Sequence, residues 1–325
     1  MTPHELQLAR ISNDLFNVAL FAYIVAMVGY FAYLAFRREP VRLVAKVVLI
    51  GGASAHLLSI VERGIAAGRV PWGNMYEYSS LLAFLVVLGY LVIVEGVYGS
   101  RTLGGFALMF SILTMAVAVS FFYVGPGPLV PALNSYWIKI HVVAAILGSS
   151  LFALGGGILT IAYLVKDGRE RREAATLSGQ VPPPIMGGSI DLSDPPHFAP
   201  GSDDPVGMST GSTGRRGILP PSAVLDKMAY RTIAFAFPIW TFAALVAGPI
   251  WAKYAWGSYW NWDPKEVWAF ITWVVYAAYL HARATAGWRG KAASVIALVG
   301  FATLLFNFVG INYFFGGVSM HSYAG

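Results

Sequence analysis

The 325-residue chain has no cysteine, and only 12% of its residues are charged. The absence of cysteine excludes disulfides, cysteine zinc sites, iron–sulfur clusters and thiol nucleophiles in this chain. Soluble domains carry about 25% charged residues. With 57% hydrophobic residues and a mean hydropathy of +0.63, the composition excludes a soluble, disordered or fibrous protein. It indicates a polytopic membrane protein whose metal or cofactor ligands would be histidine, methionine or carboxylate.

Eight segments are long and apolar enough to cross a bilayer, which takes about 20 residues of helix. They are residues 15–36, 43–66, 79–98, 104–124, 140–165, 231–252, 265–284 and 292–315. The sequence therefore predicts an all-α membrane protein with about eight transmembrane helices. Its predicted parts are a five-helix part (1–166), a flexible linker rich in Pro, Gly, Ser and Asp (167–230), and a three-helix part (231–325).

The distribution of basic residues predicts the orientation. When the loops are assigned alternately to the two sides, one side carries sixteen of the 22 Lys and Arg residues and the other carries six. The richer side is expected to be cytoplasmic, which places the linker inside and both termini outside. Segments 67–78, 125–139 and 253–264 are then also outside. The net charge of +6 is thus a topology signal, and no nucleic-acid binding is expected.

The outer segment 253–264 is unusually aromatic. It holds three tryptophans and two tyrosines: Tyr254, Trp256, Tyr259, Trp260 and Trp262. Tryptophan often anchors helix ends at the membrane surface, so an aromatic belt is one interpretation. A belt usually has only one or two rings per helix end, and this density favours a platform for a flat apolar ligand. Both interpretations stay open at this point.

Two histidines are expected on the same outer side. His141 lies in the first turn of the fifth span, and His321 lies six residues beyond the eighth. A single histidine at the membrane surface is more often a structural residue than a ligand. These two, however, come from distant parts of the chain and share a side with the aromatic loop. Because neutral imidazole suits iron, they are candidate axial ligands of one haem.

Two further histidines lie within spans, where ionisable residues are candidates for function. His56 is 13 residues from Leu43, about 20 Å deep, whereas His281 is three residues from Ala284, only about 5 Å from its helix end. Their different depths predict that they do not share one haem. A haem on His281 would then take its second ligand from another chain.

The outer segment 62–78 contains charged and aromatic residues together with Pro71 and Asn74. A solvated loop is one interpretation. The other is a lid or a partner surface beside the aromatic loop.

Several motifs together resemble one known family. Residues 256–266 (WGSYWNWDPKE) resemble the WGxxWxWDxxE signature of the WWD haem-handling membrane proteins. Three features are similar to the CcsA/ResC branch, the cytochrome c synthase subunit of system II: His141 before the signature, His281 after it, and the closing residues 316–323 (GGVSMHSY). Residues 63–77 also resemble the early outer loop of that family. The resemblance covers nearly the whole chain except the N-terminus and the linker, which looks like an insertion.

This resemblance implies a function in cytochrome c biogenesis. Proteins of this family take haem b from inside the cell and present it at the outer face. They promote its attachment to the CxxCH motif of an exported apocytochrome c, in which two substrate thiols add across the haem vinyl groups. The protein would act as a haem lyase component. It would be a multi-pass protein of the bacterial cytoplasmic membrane, or of the thylakoid membrane in a plastid.

The implied site consists of histidines, tryptophans and one aspartate. The resemblance makes His141 and His321 the outer axial ligands and His281 the ligand of haem in transit. Trp256, Trp260 and Trp262 are the rings expected to contact haem. Asp263 is expected to be a catalytic residue together with His141 and His321. Asp263 precedes Pro264 and could instead serve only as a helix N-cap.

The implied partners are a ResB-type membrane subunit, which would supply the second ligand opposite His281, and apocytochrome c. Thioredoxin-like proteins that reduce thiols are further expected partners. Two alternatives remain. A system I haem-delivery protein shares the aromatic loop flanked by two outer histidines. A b-type cytochrome subunit would need paired histidines in mid-span, where the chain has only His56.

Overall fold

The computed structural model describes residues 2–127, 135–177, 219–315 and 319. In these ranges the chain forms eight long helices and no β-strand, which confirms the predicted all-α fold. The helices are α1 (Pro3–Phe36), α2 (Glu39–Ala67), α3 (Met75–Val97), α4 (Gly104–Phe121), α5 (Tyr136–Thr176), α6 (Ser222–Trp256), α7 (Pro264–Ala284) and α8 (Lys291–Phe314). Seven of them are long and apolar enough to cross a membrane.

Helix α7 is the exception, although it matches the predicted span 265–284. Its first turn carries Lys265 and Glu266, and its aromatic residues further reduce its hydropathy. It nevertheless packs against α6 and α8 within the bundle. The ring of Tyr276 in α7 is fully buried and stacks on Phe152 of α5 at a centroid distance of 3.8 Å. That α7 also crosses the membrane, as the seventh of eight spans, stays a prediction.

Four helices begin with a side chain that accepts a hydrogen bond from the first turn: Thr2 (α1), Asn74 (α3), Ser135 (α5) and Asp263 (α7). Such caps satisfy backbone N–H groups that have no partner inside the helix. The odd-numbered helices thus start at sites that the sequence marks with a good capping residue.

The helices on both sides reach into the predicted linker 167–230. Helix α5 continues to Thr176, where the ion pairs Lys166–Glu170 and Arg171–Asp167 support it at i,i+4 spacing. Helix α6 begins at Ser222 and buries Leu225 in the core. The apolar segments predicted from hydropathy are therefore shorter than helices α5 and α6, because hydropathy identifies only the apolar part of a helix.

The interior consists of two main packed clusters that meet at α5. One joins α1 to α4 with the second half of α5 and the start of α6. The other joins α5, α6, α7 and α8 around Phe152 and Tyr276. On the outside, large apolar side chains such as Phe21, Val47 and Phe121 are exposed. This surface is expected of a multi-pass membrane protein, since its helices face lipid.

Four helices contain a π-helical segment: Tyr90–Val97 in α3, Ala153–Leu159 in α5, Phe242–Ala247 in α6 and Phe306–Gly310 in α8. Such segments are rare and often lie at functional sites. The segments in α6 and α8 both border the cavity described next. The orientation of the bundle across the membrane stays the prediction made from the basic residues.

Candidate functional site

A cavity opens at one end of the bundle, where α3, α5 and α7 begin and where α6 and α8 end. This is the end predicted to face outside. Its empty volume, with the open mouth included, is about 1280 Å³. The main aromatic and polar residues of its wall are Trp72, Asn74, Tyr78, Lys139, His141, Ser149, Trp240, Trp251, Tyr259, Trp260, Lys265, Glu266 and Asn307.

His141 is the one histidine among the described residues of this wall. Its Nδ1 lies 3.0 Å from the carbonyl oxygen of Ala243 in the π-helical segment of α6. A carbonyl can only accept, so Nδ1 carries the proton and the lone pair of the imidazole lies on Nε2. Histidines that bind metals usually donate their other N–H in this way. The tautomer of His141 therefore suits iron ligation through Nε2.

Gly248 allows this approach. A Cβ atom at this position would lie 3.1 Å from both Nδ1 and Cε1 of His141. The backbone N–H of Gly248 also donates to the carbonyl of Ala243, closing the π-helical turn. The Gly248–Pro249 pair inside a long apolar run was the sequence signal for this irregularity, and the sequence analysis missed it.

Two tryptophans at the end of α6 support the ring of His141. Trp251 is 1% exposed and lies nearly parallel to the imidazole, with a centroid distance of 6.1 Å and an interplanar angle of 11°. Trp256 packs edge-on against Trp251 at 4.6 Å. Trp256, a predicted haem-contacting residue, thus contacts the ring that stacks on His141.

The other two tryptophans of the aromatic loop lie further along it. Trp260 and Tyr259 line the cavity. Trp262 is 77% exposed and stands perpendicular to Trp260 at a centroid distance of 5.9 Å. Its φ of 57° is left-handed, which is uncommon for a bulky residue. The three predicted rings therefore occupy three different environments around one cavity.

Asp263 is a buried N-cap. Its carboxylate accepts from the backbone N–H of Lys265 at 2.9 Å, and Glu266 accepts from the N–H of Asp263 at 3.3 Å in a capping box. The same Oδ1 of Asp263 accepts from the hydroxyl of Ser319 at 2.9 Å. Asp263 therefore caps α7, as one interpretation of the sequence proposed. It also connects the start of α7 to Ser319 near the C-terminus.

The other histidines considered from the sequence are not among the described residues of the cavity wall. His321 is outside the described residues. His281 is exposed on α7, three residues before its end at Ala284. His56 is fully buried, and its two ring nitrogens face the hydroxyls of Tyr23 at 3.2 Å and Ser80 at 3.0 Å. These contacts make His56 a packed core residue, which disfavours the b-type cytochrome alternative.

The loop before α3 is held by a buried ion cluster. Glu77 lies 2.9 Å from Arg63 and 2.7 Å from Arg69, and its own side chain is fully buried. Each arginine also donates to a carbonyl of the segment after α4, at Val124 and Gly127. The loop is therefore fixed in place and forms one wall of the cavity, and the solvated-loop interpretation is wrong for these residues.

Several residues of the wall escaped the sequence analysis. Trp72 and Lys265 line the cavity, and Trp240 donates from its Nε1 to the carbonyl of Ala269 at 3.2 Å. The side-chain oxygen of Asn307 is buried and, among the described residues, has no hydrogen-bond partner. The sequence gives no indication that these residues line one cavity, because they lie on different helices. Only the packing of those helices brings them together.

The fold and this cavity define a multi-pass helical membrane protein with an aromatic-lined cavity at one end of its bundle. Residues 72–319 match the family described as Cytochrome C assembly protein. The chain belongs to this family, which confirms the resemblance found from the motifs.

Relatives match over nearly the full length. The chain is 34% identical to the cytochrome c biogenesis protein CcsA of Gloeobacter violaceus, over 98% of this chain and 97% of the relative. It is also 34% identical to the CcsA protein of Porphyra purpurea, over 98% of this chain and 99% of the relative. A third CcsA protein, from Prochlorococcus marinus, is 34% identical over 86% of this chain and 84% of the relative. A plasma or thylakoid membrane fits these relatives.

One solved structure shares the fold. The chain described as cytochrome c heme lyase CcmF superposes with a TM-score of 0.58 at 15% sequence identity. The superposition covers 93% of this chain and 47% of that one, so the present chain spans about half the length of CcmF. At this identity the similarity concerns the fold alone.

Proposed function

We propose that this protein holds haem b in the outer cavity and promotes its covalent attachment to an exported apocytochrome c. The observation that carries the proposal is the position of His141 in the wall of an aromatic cavity, with its Nδ1 turned to the carbonyl oxygen of Ala243. Membership of the cytochrome c assembly family and the similarity to CcsA proteins support it. The protein is then the haem lyase component of its assembly system.

His141 and His321 are the two axial ligands in this proposal. Ser319 is bonded to Asp263 and stands two positions before His321 in the chain. Asp263 is itself held by the capping box at the start of α7, next to the aromatic loop. In this proposal Asp263 holds the C-terminal segment near the cavity through Ser319, so that His321 can serve as the second axial ligand.

The chemistry needs positioning rather than a nucleophile from this chain. Each substrate thiol adds across one vinyl group, so that sulfur bonds to one carbon and a proton goes to the other. The chain has no cysteine, and both thiols therefore come from the CxxCH motif of the substrate. The protein orients the vinyl groups and lets the substrate histidine replace one axial ligand. Such orientation can lower a barrier by several kcal/mol.

The tryptophans contribute differently. Trp260 contacts a face or edge of the porphyrin from the cavity wall, whereas Trp256 acts by packing on Trp251 beside His141. Trp262 stands at the exposed rim, where both haem and the arriving substrate peptide can contact it. Trp268 packs on Phe306 at a centroid distance of 4.2 Å and serves the fold.

Haem titration of the detergent-purified protein, followed by absorption, tests the site. The wild-type protein is expected to show the spectrum of low-spin iron with two histidine ligands. Trp260→Ala should weaken haem binding about five- to hundredfold, since stacking on an aromatic ring is worth about 1–3 kcal/mol. The spectrum should stay low-spin, because both histidines remain.

Tyr254→Ala is the matched control, because Tyr254 is 71% exposed in the same segment and outside the cavity wall. It should bind haem like the wild type. Equal binding by the wild type, Trp260→Ala and Tyr254→Ala would remove Trp260 from the site. Failure of the wild type to bind haem, alone and with its partner subunit, would refute the proposal as a whole.

His281 serves a second haem position shared with a ResB-type subunit. It is exposed near the end of α7, where a ligand from a partner helix can reach it. The prediction concerns the complex: His281→Ala should lower its haem content to that of the outer site alone. The measurement is haem per complex after copurification of both subunits.

His4→Ala, at an exposed position near the N-terminus, should keep the full haem content. Unchanged haem in the His281→Ala complex would refute the shared site. Thiol-reducing proteins of the thioredoxin type are the other expected partners, since the substrate cysteines must be reduced before they add.

A further inference from the structure

Two lysines belong to the cavity wall. Lys139 and Lys265 both line it, and Glu266 is the only carboxylate among the described lining residues. Glu266 is committed to the aromatic loop, because its Oε2 accepts from the backbone N–H groups of Asn261 at 2.8 Å and Asp263 at 3.3 Å. An otherwise largely apolar pocket is thus bordered by two basic side chains.

Lys265 contacts the start of α3. Its Nζ lies 3.7 Å from the sulfur of Met75, the first residue of that helix. Trp72, three residues before Met75, also lines the cavity. A lysine from α7 and a tryptophan from the loop before α3 therefore line the same cavity.

Trp72 supplies an independent indication of a ligand. Its Nε1 is buried and has no hydrogen-bond partner among the described residues. An indole N–H can only donate, and buried donors in native proteins are nearly always paired. A ligand with an acceptor group in the cavity would provide the missing partner.

We propose that Lys265 and Trp72 form a carboxylate-binding end of the cavity that receives a propionate group of haem. The inference rests on the proposed function, because it concerns the propionate edge of the haem that the cavity is proposed to hold. The porphyrin disc would occupy the apolar part beside Trp260 and His141, and the propionate oxygen would accept from both the ammonium and the indole N–H. A hydrogen bond between charged partners in such a place is strong and directional. These two residues would thereby set which edge of the disc faces inward and which carries the vinyl groups towards the substrate.

The test compares haem with its dimethyl ester, which keeps the disc and the iron but lacks the carboxylates. The wild-type protein is expected to prefer haem over the ester about ten- to hundredfold, the range for hydrogen bonds to charged groups. Lys265→Gln should lose most of this preference by weakening the binding of haem and leaving that of the ester unchanged. Lys265→Arg, which keeps the charge, should retain it. Trp72→Phe, which keeps the ring and removes the donor, should reduce the preference in part.

Lys253→Gln is the matched control, since Lys253 is exposed at the same end of the bundle and is not part of the cavity wall. It should keep the wild-type preference. Equal weakening of haem and ester in Lys265→Gln would mean that Lys265 only holds the fold, and would overturn the inference. So would an undiminished preference in Lys265→Gln. In both cases wild-type binding of haem would leave the proposed function standing, whereas no haem binding by the wild type would remove both.

Discussion

Replacement of His141 by alanine is expected to reduce cytochrome c assembly at least about hundredfold, and His321→Ala should do the same. Loss of a group that merely orients a ligand costs about 10–100-fold in metal affinity, so loss of the ligand itself should cost no less. The His141 side chain is bonded through Nδ1 and stacked on Trp251, which makes its position specific. The measurement is the yield of holocytochrome c in a strain that depends on this protein.

Added imidazole separates ligand loss from misfolding. In His141→Ala the small molecule can enter the space left by the side chain and supply a nitrogen to iron, so assembly should recover in part. It should not recover in Trp260→Ala, where no ligand is missing. Normal holocytochrome c yield in His141→Ala without imidazole would contradict the assignment of this residue as a ligand.

Replacement of Glu77 by alanine is expected to destabilise the protein by about 3–5 kcal/mol, the cost of leaving buried charges without their partner. Its carboxylate lies among Arg63, Arg69 and the backbone N–H of Gly73, with no exposed side-chain surface. Without it, two guanidinium groups would keep their charges in the interior. The measurement is thermal unfolding in detergent together with the amount of folded protein in the membrane.

The consequences of Glu77→Ala should extend to the cavity. The loop fixed by this cluster carries Trp72 and leads into Met75, so any folded fraction should bind haem poorly. Arg171→Ala is the control, because it breaks an i,i+4 pair in which the arginine is 62% exposed. Such surface pairs contribute about 0–1 kcal/mol. A Glu77→Ala protein as stable as Arg171→Ala would show that the buried cluster is not needed for the fold.

The two arginines of this cluster illustrate a limit of sequence reasoning. In the sequence, Arg63, Arg69 and Glu77 look like charges of an outer loop, and solvation was the simple interpretation. In the fold they are buried with one another because α2, α3 and the segment after α4 meet there. A carboxylate flanked by two guanidinium groups can be buried only when all three arrive together, and nothing in the local sequence indicates that they do.

His56 is the opposite case, in which a residue predicted to be functional is a packed core residue in the structure. Its depth within a span marked it as a candidate for function, since isolated ionisable groups are costly in a membrane. The bundle removes that cost by placing Tyr23 and Ser80 against its two nitrogens. Whether a buried histidine is a ligand or a core residue depends on its neighbours in space.

The class of protein, the positions of the helical segments, the aromatic loop, the family and the histidine that lines the cavity could all be predicted from the amino-acid sequence. These properties depend on composition, on runs of apolar residues and on short motifs, all of which are local along the chain. The tertiary structure decided which tryptophans line the cavity, how His141 is oriented, that Asp263 caps α7 and bonds Ser319, and that Lys265 and Trp72 line one pocket. Those properties depend on the direction of side chains and on contacts between distant segments, and these exist only once the helices have packed.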